Sequence, residues 1–149
     1  FKVIADYRCL YVLNHSRGNS KTMDSLASYQ NLVNEVKNEL SNQIDLGLSY
    51  GINSNQIIID PGIGFAKNVD QNLLLIRNLE EFVLMNYPIL VGPSRKRFIG
   101  SVINESDPIK RIFGTAAVAS RCVIAGVNYL RVHDIKEIYQ VIKMTKSII

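Results

Sequence analysis

Three clusters of chemically capable side chains stand directly after apolar runs. Asp60 follows Gln56-Ile57-Ile58-Ile59 and runs into Pro61-Gly62-Ile63-Gly64-Phe65-Ala66-Lys67. A lone carboxylate in that place can accept two parallel N–H bonds from the amidine-like edge of a guanine-like or pterin ring. It can equally start a turn or cap the next helix. Ser94-Arg95-Lys96-Arg97 follows Ile89-Leu90-Val91-Gly92-Pro93, a hydroxyl and three cations in four residues. With Phe98-Ile99-Gly100 as a short helical turn behind it, this stretch reads as an anion site or as a solvated basic loop. Arg131 and His133 alternate about Val132, so on a strand both face one way and suit a phosphate or diphosphate. A strand-end His is as readily a structural hydrogen-bonding group. His15, Arg17 and Asn19 occupy a polar loop that can add donors. For Arg17 and Asn19 the simpler reading is a loop held by its own hydrogen bonds.

These groups need a scaffold, and the hydrophobic pattern supplies one. Arg8–Asn14, Ile57–Asp60, Ile89–Gly92 and Val127–Asp134 read as strands with their exits, the second fully buried by its β-branched run. Between them lie helical patterns. The first spans about Ser25 to Ser49, with Leu32, Val36, Leu40, Ile44 and Leu48 recurring every four residues and Gly51 as its stop. The second runs from Val69 to Asn86, capped by Asn68, with Leu73, Ile76, Leu79 and Val83 on its apolar side. The third runs from Pro108 to Gly126, and the last from Ile135 to about Ser147, capped by Asp134. Four β-loop-α units imply a parallel sheet with right-handed crossovers. The architecture is a small open doubly wound sheet or half of a (β/α)8 barrel, and both put every strand exit on one face. The polar chemistry gathers at the carboxyl ends, while the amino ends offer only Arg8, Gln56, Pro88 and Asn128.

Composition narrows the classes. At 149 residues the chain suffices for one domain with a core. A net charge of +4 is mild and suits an anionic small substrate better than a nucleic acid, because no basic stripe is interleaved with aromatics. No apolar run approaches the roughly 20 residues needed to span a bilayer. Cys9 and Cys122 lie in apolar segments and read as buried thiols in a reducing compartment, cytoplasmic or mitochondrial. No Cys/His cluster has metal spacing, no carboxylate pair suits glycoside hydrolysis, and neither a Gly-x-Ser-x-Gly elbow nor a Gly-x-x-x-x-Gly-Lys loop occurs. The opening Phe1-Lys2-Val3-Ile4-Ala5-Asp6 looks like mid-protein sequence, so a portion of a longer polypeptide is expected.

Taken in order, Asp60-Pro61-Gly62-Ile63-Gly64-Phe65-Ala66-Lys67, Gln71-Asn72, Gly92-Pro93-Ser94-Arg95-Lys96-Arg97-Phe98-Ile99-Gly100, Arg111 with Gly114-Thr115-Ala116, and Arg131-Val132-His133-Asp134 resemble dihydropteroate synthase. His15 with Gly18, and Lys21-Thr22-Met23, resemble the family's loop before its long helix, and Arg97 is similar to fungal and other eukaryotic members. The resemblance implies an α/β fold, the last four units of a TIM barrel, with residues 1–149 as the C-terminal part of the pterin-binding domain. It implies transfer of 6-hydroxymethyl-7,8-dihydropterin from its diphosphate onto 4-aminobenzoate in folate biosynthesis, with sulfonamides as competitors. It further implies that Asp60 holds the amino-pyrimidine edge and that Lys96 reaches the pterin and shapes the aminobenzoate site. Arg131 and His133 hold the diphosphate, Phe65 lines the aminobenzoate region, and Ser94 and Arg97 stand near the helix start that receives the benzoate carboxylate. Asn14 stands where the family commonly has Met, lining the pterin pocket. Mg2+ is the implied cofactor, with its ligand expected in the first half of the barrel and none in this chain. That first half, a homodimeric partner and fusion to other folate enzymes are the implied partners. The isolated 149 residues are expected to be inactive and poorly soluble. Two rivals remain at this point: a pterin-dependent methyltransferase domain, and a non-catalytic pterin- or anion-binding half-barrel.

Overall fold

The computed structural model describes residues 1–149. Four short parallel strands stand side by side in chain order. β1 (Tyr11–Asn14) pairs with β2 (Ile57–Asp60), Asn14 opposite Asp60. β3 (Leu90–Val91) pairs with β4 (Tyr129–Leu130), and an Ile59–Ile89 bridge joins the two ladders. A doubly wound sheet reverses its strand order at a switch point; this order never reverses. Right-handed crossovers between consecutive strands then lay every helix on one face, which is the arrangement of a barrel wall.

That face is the core. Leu13, Ile57, Ile59, Ile89 and Val91 pack in one cluster with Val36, Leu40, Leu75, Leu79, Phe82, Phe98 and Cys122 from the helices. Strand alternation turns Val12, Ile58, Leu90 and Tyr129 to the other face, followed at the carboxyl ends by Asn14 and Asp60. Val12 is 40% exposed and Tyr129 49%, so this inner face is open along its outer strands, while Ile58 between them stays buried.

The helices follow their local chemistry. α1 (Lys2–Tyr7), outside the expected pattern, packs Phe1 edge-on against Tyr11. α2 (Leu32–Ser49) starts seven residues later than the apolar spacing predicts. The Asn31 side chain caps Asn34 N–H while the Glu35 carboxylate accepts the Gln30 and Asn31 N–H groups, and these bonds fix the first turn there. Met23–Leu26 is a separate 3-10 turn. Gly51, at φ +90°, ends α2 as expected.

The second expected helix is two. α3 (Val69–Arg77) begins in a capping box between Asn68 and Gln71. It breaks at Asn78, whose side chain bonds back to Leu74 O, and α4 (Leu79–Val83) resumes, burying Phe82 rather than Val83. α5 (Arg97–Ile103) is the short helix after β3. Pro108–Arg111 forms a 3-10 turn leading into α6 (Ile112–Ile124), and α7 (Ile135–Ile148) closes the chain. β4 is shorter than expected, ending at Leu130, so strand alternation does not extend to His133. Cys122 is buried as expected; Cys9 is exposed, because β1 begins only at Tyr11.

Candidate active site

The four strand exits converge on Asp60. Its side chain is 6% exposed, and the Gly62 N–H donates to its Oδ1 at 2.8 Å. Burial raises its pKa above the usual carboxylate range. The Gly62 bond, the Asn14 amide across the β1–β2 pair and the charges of Lys96 and Arg131 work against that rise. A carboxylate so desolvated, with two cations nearby, gains from N–H donors that replace its lost water.

The loop after β2 is wound tightly. A Cβ on Gly62 would stand 1.9 Å from His15 O, and φ is +74° there, so only glycine fits. At Gly64 the Cβ would meet the Lys96 Cδ at 2.5 Å. Asn72 is buried on α3 and holds the loop from below. Its Oδ1 accepts the Gly64 N–H at 2.5 Å, and its Nδ2 donates to Lys67 O and Asn68 O.

Lys96 reaches across from β3. Its ammonium donates to Ile63 O and lies 4.3 Å from the centre of the Phe65 ring. Burial pulls its pKa down to about 8, with Asp60 opposing and Arg131 assisting. Asp60, Phe65 and Lys96 are therefore brought together. Arg131 lies over Gly92, whose missing Cβ leaves room for the guanidinium; a Cβ would be 3.0 Å from Nη2. The Ser94 hydroxyl accepts the His133 N–H at 3.2 Å and stands 2.9 Å from His133 Nδ1. Arg131 and His133 are thus held by different neighbours, Gly92 and Ser94, and not by shared strand alternation.

The basic triplet does not act as one patch. Arg95 turns away and forms a two-pronged pair with Asp134, Nε to Oδ2 at 3.1 Å and Nη2 to Oδ1 at 2.5 Å. That pair corrects two expectations. Arg95 is not part of a ligand-facing cation cluster, and Asp134 makes no side-chain cap on α7. Arg97 is exposed and pairs with Asp24 at 3.2 Å, beside a cleft of about 320 Å³ that also has Lys67, Asn68 and Phe98 in its wall. Arg111, buried, spends its guanidinium on Glu105 O, Arg95 O and Ser106 O and fixes the entry to α5.

Two groups lie outside the residues that the motifs single out for a role. Lys67 is buried and donates to Gly62 O, Phe65 O and His15 Nδ1. Glu39, from α2, bonds His15 Nε2 at 3.0 Å and pairs with Arg17. Arg17 stacks 3.9 Å above Tyr29, so the structural reading of Arg17 is the right one. Asn19 likewise bonds only within its own loop, to Lys21 N–H and Thr22. Asn72 was findable: it sits three and four residues before Leu75 and Ile76, a polar side chain on the buried stripe of α3.

No three His, Cys, Asp or Glu side chains stand close enough to hold a metal ion. The residues of this chain do not by themselves assemble a carboxylate cluster for Mg2+. No helix is long and apolar enough to cross a membrane.

The chain is 42% identical over 146 residues to the dihydropteroate synthase of Synechocystis, covering 98% of this chain and 50% of that protein. It is 35% identical to the folic acid synthesis protein fol1 of Pneumocystis carinii, covering 99% of this chain and 21% of that one. The Thermus thermophilus dihydropteroate synthase structure superposes with a TM-score of 0.94 at 35% identity, over 99% of this chain and 58% of that one. The same enzyme has been solved with 6HMPPP and with 4-aminobenzoate. The chain therefore spans about half the length of the curated synthase it matches, and its four units are the corresponding part of that enzyme's (β/α)8 barrel. Residues 1–133 match the family described as pterin binding enzyme, and the chain belongs to that family.

Proposed function

We propose that the protein carrying these residues is a dihydropteroate synthase, a transferase joining 4-aminobenzoate to 6-hydroxymethyl-7,8-dihydropterin with loss of diphosphate. The observation that carries the reading is the buried Asp60 at a strand end, with Lys96 and Arg131 among the charges acting on it. Two relatives bearing that name and the ligand-bound Thermus structures support it.

In this reading Asp60 accepts the amino and ring N–H groups of the pterin, with Asn14 beside it. Arg131 lies against the ring and the diphosphate. His133, steered by Ser94, donates to the departing anion. Fixed cations stabilise negative charge where it accumulates as the C–O bond to the diphosphate breaks. The aniline nitrogen then forms the new C–N bond to the pterin methylene and loses a proton. Lys96, over Phe65, separates the ring site from the aminobenzoate site, and Arg97 and Ser94 flank the start of α5, where the benzoate carboxylate is received. The remaining barrel units, a homodimeric assembly and Mg2+ held outside these residues belong to the same reading. Fusion to other folate enzymes does too, supported by the small share of the Pneumocystis protein that this chain covers. The cytoplasm or a mitochondrion is the proposed compartment.

The test uses the protein at its natural length. Aminobenzoate-dependent diphosphate release, lost in Asp60→Asn, is the expected result. Pterin binding without turnover would make it a binding module instead, and methyl transfer without aminobenzoate dependence would make it a methyltransferase.

A further inference from the structure

We propose that Lys67 and His15 form a buried positioning pair that sets the Pro61–Ala66 loop, and through it Asp60 and Phe65, for pterin-ring recognition. The proposal rests on the reading of Asp60 as the ring-binding group.

The pair is built to closure. Lys67 Nζ has three N–H donors when charged, and three acceptors surround it: Phe65 O at 2.9 Å, His15 Nδ1 at 3.0 Å and Gly62 O at 3.2 Å. No carboxylate touches it. On the far side of the imidazole, Nε2 stands 3.0 Å from Glu39 Oε2. Burial favours the uncharged form of Glu39, but the bonds from Arg17 outweigh it and hold the carboxyl below its ordinary value. An ionised Glu39 requires the proton on Nε2, which leaves Nδ1 as an acceptor and Lys67 as its donor. Arg17 then stacks on Tyr29, and the Tyr29 hydroxyl donates to Ala66 O at 3.1 Å. Ala66 is the neighbour of Lys67, so the contacts form a ring around the loop base.

That ring controls the site by two routes. Gly62 gives its N–H to Asp60 and its carbonyl to Lys67, so the strut anchors the residue whose other peptide orients the carboxylate. Phe65 gives its carbonyl to Lys67 while its ring lies under Lys96. The groups facing Lys67 are His15 at the end of β1, Asp60 at the end of β2, Glu39 on α2, Lys96 before α5, Arg17 in the first loop and Tyr29, whose ring centre lies 6.0 Å from the ammonium. Burial lowers the Lys67 pKa to about 7, with Asp60 and Glu39 opposing and Lys96 and Arg17 assisting. A neutral amine has two donors for three acceptors, so one contact of the ring opens as pH rises through about 7.

The experiment measures equilibrium binding of 6-hydroxymethylpterin to the natural-length protein, with thermal melts to keep every assay below unfolding. Lys67→Met should bind about ten- to a hundredfold more weakly at pH 6, the scale of a lost charged hydrogen bond. The wild-type to Lys67→Met affinity ratio should fall as pH rises through about 7 while staying above one, a ratio in which titration of the ligand cancels. His15→Asn keeps an acceptor near the Nδ1 position and should bind nearly as wild type, whereas His15→Gln keeps the reach to Glu39, loses that acceptor and should weaken. Equal binding by Lys67→Met at pH 6, a ratio constant from pH 6 to 9, or equal loss in both His15 variants overturns the proposal. Asp60→Asn separates the two readings. If it abolishes binding while Lys67→Met binds as wild type, the positioning pair alone fails. If wild type binds no pterin, both readings fall.

Discussion

Asp60 and His15 meet the same physical problem, burial of a titratable group, with opposite outcomes. Asp60 is pushed toward its neutral form and relies on Gly62, Asn14, Lys96 and Arg131 to stay ionised. Lys96→Ala removes one of those charges and the group facing Phe65. It should weaken pterin-diphosphate binding and abolish synthesis in the natural-length protein; unchanged kinetics would contradict the assignment. His15 is held neutral by burial, its pKa lowered from 6.5 to about 4 with Lys67 adding to the effect and Glu39 opposing. The folded state therefore binds fewer protons than the unfolded chain between those values. Stability is complete above about pH 6.5 and is lost as pH falls through about 4, by roughly 3 kcal/mol for this group. Urea unfolding at pH 7 and pH 4 measures the loss, and the difference between the two should be smaller in His15→Asn than in wild type. Neither partnership is written locally in the sequence: Lys67 meets His15 across 52 residues and Glu39 meets it across 24. Asp60, by contrast, announces itself through the isoleucines before it and the glycines after it.

At the scale of elements, the loop after β2 distinguishes two glycines that look alike in sequence. Gly62→Ala drives a methyl into the His15 carbonyl at a positive φ, so both the fold and the site should suffer, by more than the roughly 1 kcal/mol of left-handed strain alone. Gly64→Ala meets the flexible end of Lys96 instead. It shares the left-handed strain, at φ +81°, of roughly 1 kcal/mol, so it should melt below wild type but above Gly62→Ala, and lose activity because the ammonium is displaced from Phe65. Ile59→Ala, at the centre of the sheet and fully buried, should cost about 2–5 kcal/mol in denaturant unfolding. Much at this scale was legible. The Ile57–Asp60 strand, the Asn68 cap and the Gly51 stop follow from local rules that tertiary structure leaves alone. The start of α2 and the break at Asn78 were not, because side-chain bonds from Glu35 and Asn78 to the backbone override a continuous apolar period. The basic triplet misled for a related reason: Asp134, 39 residues away from Arg95, takes its guanidinium.

For the whole molecule, the unreversed strand order decides between the two architectures that the βα pattern left open. It also leaves two outer strands and an open inner face. Beside β4, Leu130, Val132 and Ile142 line an apolar recess next to Ile135 and Tyr139, which are 71% and 58% exposed. Residues 1–149 expressed alone should self-associate, and Ile135→Lys with Tyr139→Lys should shift size-exclusion elution toward the monomer. The strand order carries a further consequence, for the time course of folding. Each strand pairs with the one made just before it, so no strand waits for a distant partner during synthesis. The Lys67 strut needs only residues that precede it, His15, Gly62 and Phe65, and can close as soon as that loop leaves the ribosome. Asp60 would then be oriented while Lys96 and Arg131 have yet to emerge, so the ring-recognising half of the site is assembled before the cations that face it.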